Sequence, residues 1–437
     1  MSQLNPIRVG LLGFGVVGSG TWTVLNRNAQ EIARRAGRQI EIVRVATRTP
    51  AKAAPLVGPN VQIDNDLQGL VDDPSIDIVV ELIGGTELAH DLVMQAIKNG
   101  KHVVTANKAL LALHGNEIFG AALEKNVMVA FEAAVAGGIP IIKAMREGLT
   151  ANRIQWVAGI INGTTNFILT EMRERGLAFA DVLSEAQALG YAEADPTFDV
   201  EGVDAAHKLT ILASIAFGIP VQFDKVYIEG ISRLAQEDVS LADRLGYRIK
   251  LLGLAIRREA GIELRVHPCL VPKEKLIANV EGPMNAVVVK GDALGETLYY
   301  GAGAGSEPTA SAVVADLVDV TRLHTADPEN RVPHLAFQAD ALADYPILPI
   351  EEARSSSYLR VLVQDRPGVM ADISSILAKL NISIKSMIQD SKDEGAANII
   401  FLLHQAREGD VLEAIQQIEH LPFVQSKVVH IRLEKLS

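Results

Sequence analysis

The sequence has little cysteine and no long apolar run. Its 437 residues include one cysteine, Cys269, which excludes an intrachain disulfide. Even the apolar run Ile76–Gly85 is interrupted by Asp77 and Glu81, and it falls short of the roughly 20 residues that span a bilayer. Residues 1–9 lack the basic and apolar regions of a signal peptide. We therefore expect a cytoplasmic protein with no membrane role.

Positive charge is also in deficit. The chain has 41 lysines and arginines against 53 aspartates and glutamates, a net charge of -12, which disfavours nucleic acid and anionic lipid as partners. A hydrophobic share of 48%, a charged share of 22% and 35 glycines are typical of a globular α/β protein. Because the chain is longer than one hydrophobic core usually organises, we expect two or three domains.

Apolar runs alternate with helical periodicity in the first third of the chain. The predicted strands are Ile7–Leu12, Ile40–Ala46, Ile76–Ile83, His102–Thr105 and Val127–Phe131. The predicted helices include Val16–Arg35, Glu87–Lys98 and Gly115–Lys125. This alternation predicts a parallel sheet covered by helices on both faces.

The pattern changes after Gly137 and Gly138. The predicted elements that follow are a helix to about Leu149, a strand at Ile154–Ile161, three helical stretches within 166–217, and strands at Ile249–Ile256 and Ala286–Val289. They indicate a second, α+β domain. A predicted helix at Thr309–Arg322 has no neighbour in sequence, so we expect it to pack back on the first domain.

The last part of the chain predicts a linker and a third domain. Residues 324–357 are polar with weak periodicity, which is typical of a linker. From Tyr358 the predicted order is strand, helix, strand, strand, helix, strand, the ferredoxin-like unit, at Leu359–Val363, Gly368–Leu380, Ile382–Ile388, Ala397–Leu403, Asp410–Ile418 and Phe423–Ile431. The predicted first domain comprises residues 1–135 together with the return helix at 306–323, and the second comprises 136–305. A linker at 324–356 leads to the third domain at 357–437.

A glycine-rich turn follows the first predicted strand and opens the first predicted helix. Its residues fit the pattern G-x-G-x-x-G: Gly13, Phe14, Gly15, Val16, Val17 and Gly18. The first glycine permits a tight turn, the second lets a pyrophosphate approach the backbone, and the third lets helix and strand pack closely. An ordinary glycine turn is the alternative, but the strand-turn-helix context favours dinucleotide binding.

Two cationic side chains follow predicted strands of the first domain. The second strand ends without the carboxylate that binds the ribose 2'-hydroxyl of NAD, and Arg48 stands near that position, which favours NADP. Lys108 follows the fourth strand, where ligands of such sheets bind, so it is a candidate to contact cofactor or substrate. For both residues the alternative is a solvated surface cation without a functional role.

The second domain contains a short segment rich in carboxylates. Glu193 and Asp199 precede a helix predicted from about Val200, on which Asp204 and Lys208 stand at i and i+4 on one face. An ordinary surface ion pair of about 0.3–0.5 kcal/mol is the alternative. The gathering of several carboxylates and one ammonium also fits a functional site.

These motifs together resemble the homoserine dehydrogenase family. The resemblance extends from the glycine-rich turn to about Arg322 and rests on six ordered motifs, located at 13–18, 105–108, 131–140, 161–166, 190–208 and 301–305. Residues 361–369 resemble the start of an ACT domain, a small-ligand regulatory module, and we expect a monofunctional enzyme without an aspartokinase domain. Relative to the aspartokinase-fused branch, Ala194 replaces a proline and Thr197 an arginine, a difference that fits a monofunctional chain.

The resemblance implies a Rossmann-type domain, an α+β catalytic and dimerisation domain, and a C-terminal ACT domain. It implies interconversion of L-homoserine and L-aspartate 4-semialdehyde with NADP or NAD, on the route to threonine, methionine and isoleucine. Lys208 would transfer the proton at the substrate oxygen, Asp204 would orient it, and Glu193 and Asp199 would lie in the substrate pocket. An unperturbed lysine has a pKa near about 10.4, so Lys108 is a candidate cationic neighbour that lowers it.

The resemblance also implies a cation and a cofactor-closing turn. Backbone carbonyls at Glu132, Val135, Gly137 and Ile139, with the Glu132 carboxylate as a further ligand, would bind a monovalent cation, sodium in the usual reading. Gly305 would close on the cofactor. The residue pattern alone predicts only a turn at 132–139.

The ACT resemblance implies feedback by an end-product amino acid, with threonine as the first candidate. Gly368 and Asn381 stand where ACT effectors often bind, although dimer contacts explain them equally well. Because ACT domains usually pair, we expect a homodimer or homotetramer. Two other functions stay open: an acylating semialdehyde dehydrogenase, which needs a cysteine nucleophile such as Cys269, and an amino-acid sensor without turnover.

Overall fold

A computed structural model describes residues 4–392 and 395–436 of the chain. Its strands, numbered in chain order, are β1 Ile7–Leu12, β2 Ile40–Ala46, β3 Gln62–Asp64, β4 Ile78–Glu81, β5 His102–Thr105, β6 Val129–Ala130, β7 Ile154–Ile160, β8 Tyr227–Ile228, β9 Tyr247–Arg257, β10 Ile262–Pro272, β11 Met284–Gly291, β12 Gly295–Ala302, β13 Arg354–Gln364, β14 Ile384–Lys392, β15 Ala396–Arg407 and β16 Val429–Leu433.

The α-helices are numbered in the same way. They are α1 Val16–Arg27, α2 Ala29–Ala36, α3 Pro50–Val57, α4 Leu67–Asp72, α5 Glu87–Lys98, α6 Lys108–Glu124, α7 Ile141–Lys143, α8 Gly163–Arg175, α9 Phe179–Ala188, α10 Thr197–Val200, α11 Val203–Phe217, α12 Gln236–Arg244, α13 Ser306–Leu323, α14 Val369–Lys379 and α15 Glu408–Glu419. None of the helices in the described part of the chain is both long enough and apolar enough to cross a bilayer.

The chain divides into two compact units. Unit 1 comprises Met1–Gly163, Val203–Val226 and Pro283–Tyr345, and unit 2 comprises Thr164–Gly202, Tyr227–Gly282 and Pro346–Ser437. Unit 1 contains a six-stranded parallel sheet of order β3-β2-β1-β4-β5-β6. This order reverses between β1 and β4, the position at which doubly wound sheets bind ligands. The predicted parallel α/β sheet is confirmed.

Helix α13 belongs to the core of unit 1. Val313 and Leu317 on this helix pack in one buried cluster with Val9 of β1 and Val24 of α1. A salt bridge of 2.8 Å between Arg27 and Glu307 joins the exposed ends of α1 and α13. Unit 1 also contains an antiparallel group in which β11 pairs with β7 and β12.

Unit 2 contains a mixed group of strands and the ferredoxin-like domain. Strand β10 pairs antiparallel with β9 and parallel with β8 and β16. The C-terminal strands follow the antiparallel order β16-β13-β15-β14, and α14 and α15 cover a core that includes Leu359, Ile373, Phe401 and Ile418. The predicted βαββαβ order is confirmed.

Several predicted boundaries are wrong. The helix predicted at 16–35 is two helices divided at Asn28, and the helix predicted from Gly115 begins at Lys108, because the side chain of Asn107 caps it by accepting from the Leu110 amide. The last predicted strand starts at Val429.

The predicted linker 324–356 begins directly after α13, which ends at Leu323, but its last residues, from Arg354, belong to a strand. The His334 ring accepts a hydrogen bond of 3.1 Å from the Val129 amide, which holds this part of the segment on unit 1. Strand β13 starts at Arg354, because the serines that suggested a loop pair through their backbone: Ser357 lies between Leu403 of β15 and Arg432 of β16 and is buried.

Candidate active site

The glycine-rich turn has the backbone geometry of a nucleotide-binding loop. Gly13 has a φ of 94°, and a Cβ there would lie 2.7 Å from the Leu82 carbonyl oxygen. A Cβ on Gly18 would collide with the carbonyl group of Gly13. Gly15, which precedes α1, faces open space, so its backbone is accessible to a ligand at the helix N-terminus. At each of these three positions the structure therefore shows why a glycine is required, as the motif predicts.

A second helix begins beside this turn. Gly305 has a φ of 127° and is the N-cap of α13. The hydroxyl of the next residue, Ser306, donates a hydrogen bond of 2.9 Å to the carbonyl of Val16, the first residue of α1. A Cβ on Gly20 would lie 2.7 Å from the Ser306 carbonyl oxygen, so the two helices approach closely. The N-termini of α1 and α13 consequently lie side by side.

Arg48 lies in the loop after β2 and is exposed. Within residues 4–392 and 395–436, no group forms a hydrogen bond or ion pair with its side chain. By contrast, the buried Arg44 of the same strand pairs with Asp64 at 3.0 Å. Arg48 is therefore the cation at this end of β2 that is available to a ligand.

The structure brings Lys108, Asp204 and Lys208 together. The Lys208 ammonium donates to Asp204 Oδ2 at 2.6 Å and to the carbonyl of Ile161 at 2.8 Å. The Lys108 ammonium lies 3.0 Å from Asp204 Oδ1, and the Asn162 amide donates to Oδ2 at 2.8 Å. Asp204 therefore accepts from two ammonium groups and one amide, so the predicted i, i+4 pair is more than a surface ion pair.

Burial and charge set the protonation of this cluster. The side chain of Asp204 is 4% exposed, that of Lys208 11% and that of Lys108 36%. Burial alone would raise the pKa of Asp204, but Lys208 and Lys108 outweigh it and hold the pKa well below its usual range. Burial lowers the pKa of the neighbouring His207 to about 4, so this ring is neutral near pH 7. The cluster thus combines a fixed anion with two cations, of which Lys208 is the more buried.

Two further predicted site residues belong to unit 2. Glu193 is exposed in the loop before α10, and Gln187 donates to its backbone carbonyl at 3.0 Å. Asp199 lies on α10, and the Thr164 hydroxyl lies 3.4 Å from its Oδ2. The same hydroxyl donates to the Tyr191 carbonyl at 2.7 Å. These contacts fix the loop that carries Glu193 and the start of the short helix that carries Asp199.

The turn predicted to bind a cation is buried and irregular. Both oxygens of the buried Glu132 carboxylate accept backbone N–H groups, from Ile142 at 2.9 Å and from Lys143 at 2.8 Å. The Ile139 carbonyl accepts from the Ile141 amide at 2.8 Å. No hydrogen-bond donor of the described ranges reaches the carbonyl oxygens of Val135 and Gly137, so two of the predicted oxygen ligands have both lone pairs available. This arrangement fits a hard cation bound by backbone oxygens.

The one cysteine is not placed for catalysis. Cys269 is fully buried in β10, and burial raises the pKa of its thiol well above the usual value. A reactive cysteine needs an accessible thiolate. The structure therefore provides no support for an acylating dehydrogenase that uses Cys269.

The sequence analysis assigned no role to three groups of the cluster. Asn162 contacts Asp204 and the Ile161 carbonyl contacts Lys208, and each contact joins residues more than forty positions apart. The neutral state of His207 depends on its burial, which the motif alone does not show. The motif Ile161–Asn166 was the available signal for the first two.

Comparison with known proteins gives consistent matches over the whole chain. The family model described as homoserine dehydrogenase matches residues 140–318, the model of the homoserine dehydrogenase NAD binding domain matches 13–132, and the ACT domain model matches 357–421. A homoserine dehydrogenase of Pseudomonas aeruginosa is 63% identical over 436 residues, covering 99% of this chain and 100% of the relative.

Solved structures agree with these matches. The crystal structure of a homoserine dehydrogenase from Thiobacillus denitrificans is 66% identical, covers 100% of both chains and superposes with a TM-score of 0.96. A hyperthermophilic archaeal homoserine dehydrogenase in complex with NADPH is 26% identical, covers 72% of this chain and 98% of its own, and has a TM-score of 0.63. The similarity therefore includes the glycine-rich turn, the lysine cluster and the C-terminal domain.

Proposed function

The chain belongs to the homoserine dehydrogenase family, oxidoreductases that use a nicotinamide cofactor and here carry an ACT domain, and from this premise we propose how its residues act. Lys208 transfers the proton of the substrate hydroxyl when L-homoserine and L-aspartate 4-semialdehyde interconvert. In the oxidation direction its neutral amine takes that proton, and in the reduction direction its ammonium returns it. The residues of the glycine-rich turn would hold a nicotinamide cofactor, which when bound would supply the acceptor or donor of the hydride.

The observation that carries this proposal is the sharing of one buried carboxylate by two ammonium groups. Asp204 orients Lys208 through the 2.6 Å contact, and the Ile161 carbonyl fixes the same nitrogen from a second direction. The Lys108 ammonium at 3.0 Å from Asp204 disfavours a second positive charge beside it, which makes the Lys208 proton easier to remove. Asp204 favours the ammonium form of Lys208 and Lys108 opposes it, so the balance of these two charges sets how readily Lys208 gives up its proton.

Lys208 also binds substrate in this proposal, and Glu193 and Asp199 supply further substrate contacts. A homoserine molecule carries an ammonium group, which can donate charge-assisted hydrogen bonds to a carboxylate. Glu193 is exposed and its side chain forms no ion pair within the described ranges, which leaves it available for this role. Substituting Glu193 by Gln should raise the KM for homoserine with little effect on the KM for the cofactor.

We infer that the cofactor is NADP in preference to NAD. The turn Gly13–Gly18 and Gly305 would hold the pyrophosphate at two adjacent helix N-termini, and Lys108 would approach the nicotinamide end. Arg48 is exposed and unpaired among the described residues, which suits a 2'-phosphate. The archaeal relative was solved with NADPH. Arg48→Ala should raise the KM for NADP and leave that for NAD unchanged, with Arg34→Ala as the exposed control.

We further infer a sodium ion at the turn of Glu132, Val135, Gly137 and Ile139. The carbonyls of Val135 and Gly137 provide the available lone pairs, and the buried Glu132 carboxylate supplies negative charge nearby. The ion would fix a turn that leads directly into α7. Activity measured in sodium, potassium and tetramethylammonium chloride at equal ionic strength tests this, because only an alkali cation that fits the turn should sustain full turnover.

The ACT domain, proposed at 357–437, would sense an end-product amino acid, with threonine as the first candidate because this step leads toward threonine, methionine and isoleucine. A cavity of about 470 Å³ surrounds Gly368 and is lined also by Asp365, Arg366 and Gln389. Edge strand β14 exposes Met387 and Ile388, which favours pairing of two copies. Inhibition by threonine and mass determination in solution test the effector and the homodimer or homotetramer.

The decisive experiment is homoserine-dependent reduction of NADP and NAD, followed by absorbance of the reduced nicotinamide. Lys208→Ala should lose at least about a thousandfold in turnover while it still binds cofactor. Lys125→Ala, an exposed lysine at the end of α6, is the control and should retain wild-type activity. Equal turnover in wild type and Lys208→Ala would refute the role of Lys208.

A further inference from the structure

A group of metal-ligating side chains lies away from the active-site lysines. His90 on α5 and His114 and Glu117 on α6 each offer one ligand atom, and these atoms all lie within 4.8 Å of one another. His114 and Glu117 are three residues apart, so one face of α6 presents both toward α5. His90 and His114 are partly buried and Glu117 is exposed, which leaves the group accessible to an ion from solvent.

The spacing of these atoms is close to that of a tetrahedral site. Metal–ligand bonds of about 2.0–2.1 Å place two ligand atoms about 3.3 Å apart in tetrahedral geometry. The His90 Nε2 atom lies 3.1 Å from Glu117 Oε2. The rings of His90 and His114 have centroids 4.6 Å apart, tilted by 41°. The ligand atom of His114 is within 4.8 Å of the other two. A rotation of its side chain that moves this atom by roughly 1–2 Å would bring all three to tetrahedral spacing.

A further carboxylate lies near one of the imidazoles. Asp91 Oδ1 lies 3.6 Å from His90 Nδ1. Histidines that bind metal usually donate their other ring N–H to a carboxylate or carbonyl, which fixes the tautomer and the ring orientation. When a metal ion binds, Nδ1 of His90 would carry the proton and face Asp91, and Nε2 would present its lone pair to the ion beside Glu117.

We propose that His90, His114 and Glu117 bind a divalent transition-metal ion, with zinc as the best fit. Two imidazoles and one carboxylate are a familiar zinc ligand set, and a water molecule takes the fourth position. A hydrogen bond between His90 and Glu117 explains that pair without a metal, so His114 is the ligand that decides between the two interpretations. The ion would join α5 to α6, the helix that begins with Lys108.

Metal binding by single-residue variants tests the proposal. Protein stripped with EDTA is titrated with zinc chloride by calorimetry, and with cobalt chloride by visible absorption, whose intensity reports tetrahedral coordination. Wild-type protein should bind one more equivalent than His114→Ala and Glu117→Gln, or bind it at least tenfold more tightly. His404→Ala, an exposed histidine on β15, is the control and should bind as wild type does.

Thermal unfolding gives an independent readout. Zinc should raise the unfolding midpoint of wild type and His404→Ala but not that of the two ligand variants. A variant whose unfolding midpoint in EDTA equals that of wild type has kept the fold, so its missing response to zinc reports lost metal binding. Equal metal affinity and equal stabilisation in wild type, His114→Ala and Glu117→Gln would overturn the proposal.

Discussion

The substitution Asp204→Asn tests the central electrostatic element of the site. It keeps the size of the side chain but removes the charge that faces Lys208 at 2.6 Å and Lys108 at 3.0 Å. Removing one partner of a buried ion pair typically costs about 3–5 kcal/mol, because the other charge stays buried without compensation. Lys108 is more than one-third exposed and contributes less, so Lys208 dominates this estimate.

The pH dependence of this loss follows from the lowered pKa of Asp204. A carboxylate whose pKa is lower in the folded than in the unfolded chain stabilises the fold above the unfolded value of about 3.9, and this stabilisation disappears as the pH falls through the folded value. The negative charge that Asp204 contributes should therefore be the same from pH 5 to pH 8.

Urea and thermal unfolding at several pH values measure the difference in unfolding free energy between wild type and Asp204→Asn. For a unit of this size, about 3–5 kcal/mol corresponds to a fall in the unfolding midpoint of roughly 10 °C. Asp344→Asn, an exposed carboxylate in unit 1, is the control and should change stability by less than about 0.5 kcal/mol. A loss below about 1 kcal/mol at pH 7 would refute the reasoning.

Three further variants have defined outcomes. Lys108→Met should move the acidic limb of the pH profile of homoserine oxidation up by about one pH unit, since the general base loses a cationic neighbour within about 8 Å; an unchanged profile contradicts this. Burial lowers the pKa of His334 to about 4, so the unfolded chain binds a proton first as the pH falls below about 6.5, and folding loses about 2 kcal/mol by pH 5. His334→Gln should remove that loss in urea unfolding at pH 7.5 and 5, whereas an equal slope in both proteins argues against it. Arg265→Met should destabilise unit 2 by about 3–5 kcal/mol, because it leaves Glu434 buried without its cation and removes one of the two arginines that pair with Glu263; a change below about 1 kcal/mol contradicts this estimate.

The parts of the fold that the sequence predicts are those with a strong local pattern. Strands β1, β2 and β5 are short apolar runs between turn residues, and their observed bounds equal the predicted ones. The glycine-rich turn is read from spacing alone, because a Cβ at Gly13 or Gly18 meets nearby backbone atoms. The pair of Asp204 and Lys208 follows from helical periodicity.

The parts that the sequence does not predict depend on long-range contacts. Lys108 reaches Asp204 across 96 positions, and Asn162 reaches it across 42 positions. No pattern of period 2 or 3.6 contains such information. The serines at the start of β13 predicted a loop, but the structure places them in a strand that pairs with β15 and β16 on its two sides. Such a central strand can bury small polar side chains, and its partners are distant in sequence.

The charges of β10 show why apolar periodicity cannot define every core. All residues of this strand are buried, yet it carries Glu263 and Arg265. Arg265 reaches Glu434, just beyond β16, at 2.7 Å, while Cys269 pairs in register with Arg432 of β16. Moving β16 by two residues would keep the apolar faces aligned but would separate Arg265 from its carboxylate partner inside the protein. The cost of an unpaired buried charge therefore selects one register, which hydrophobicity alone would leave undecided.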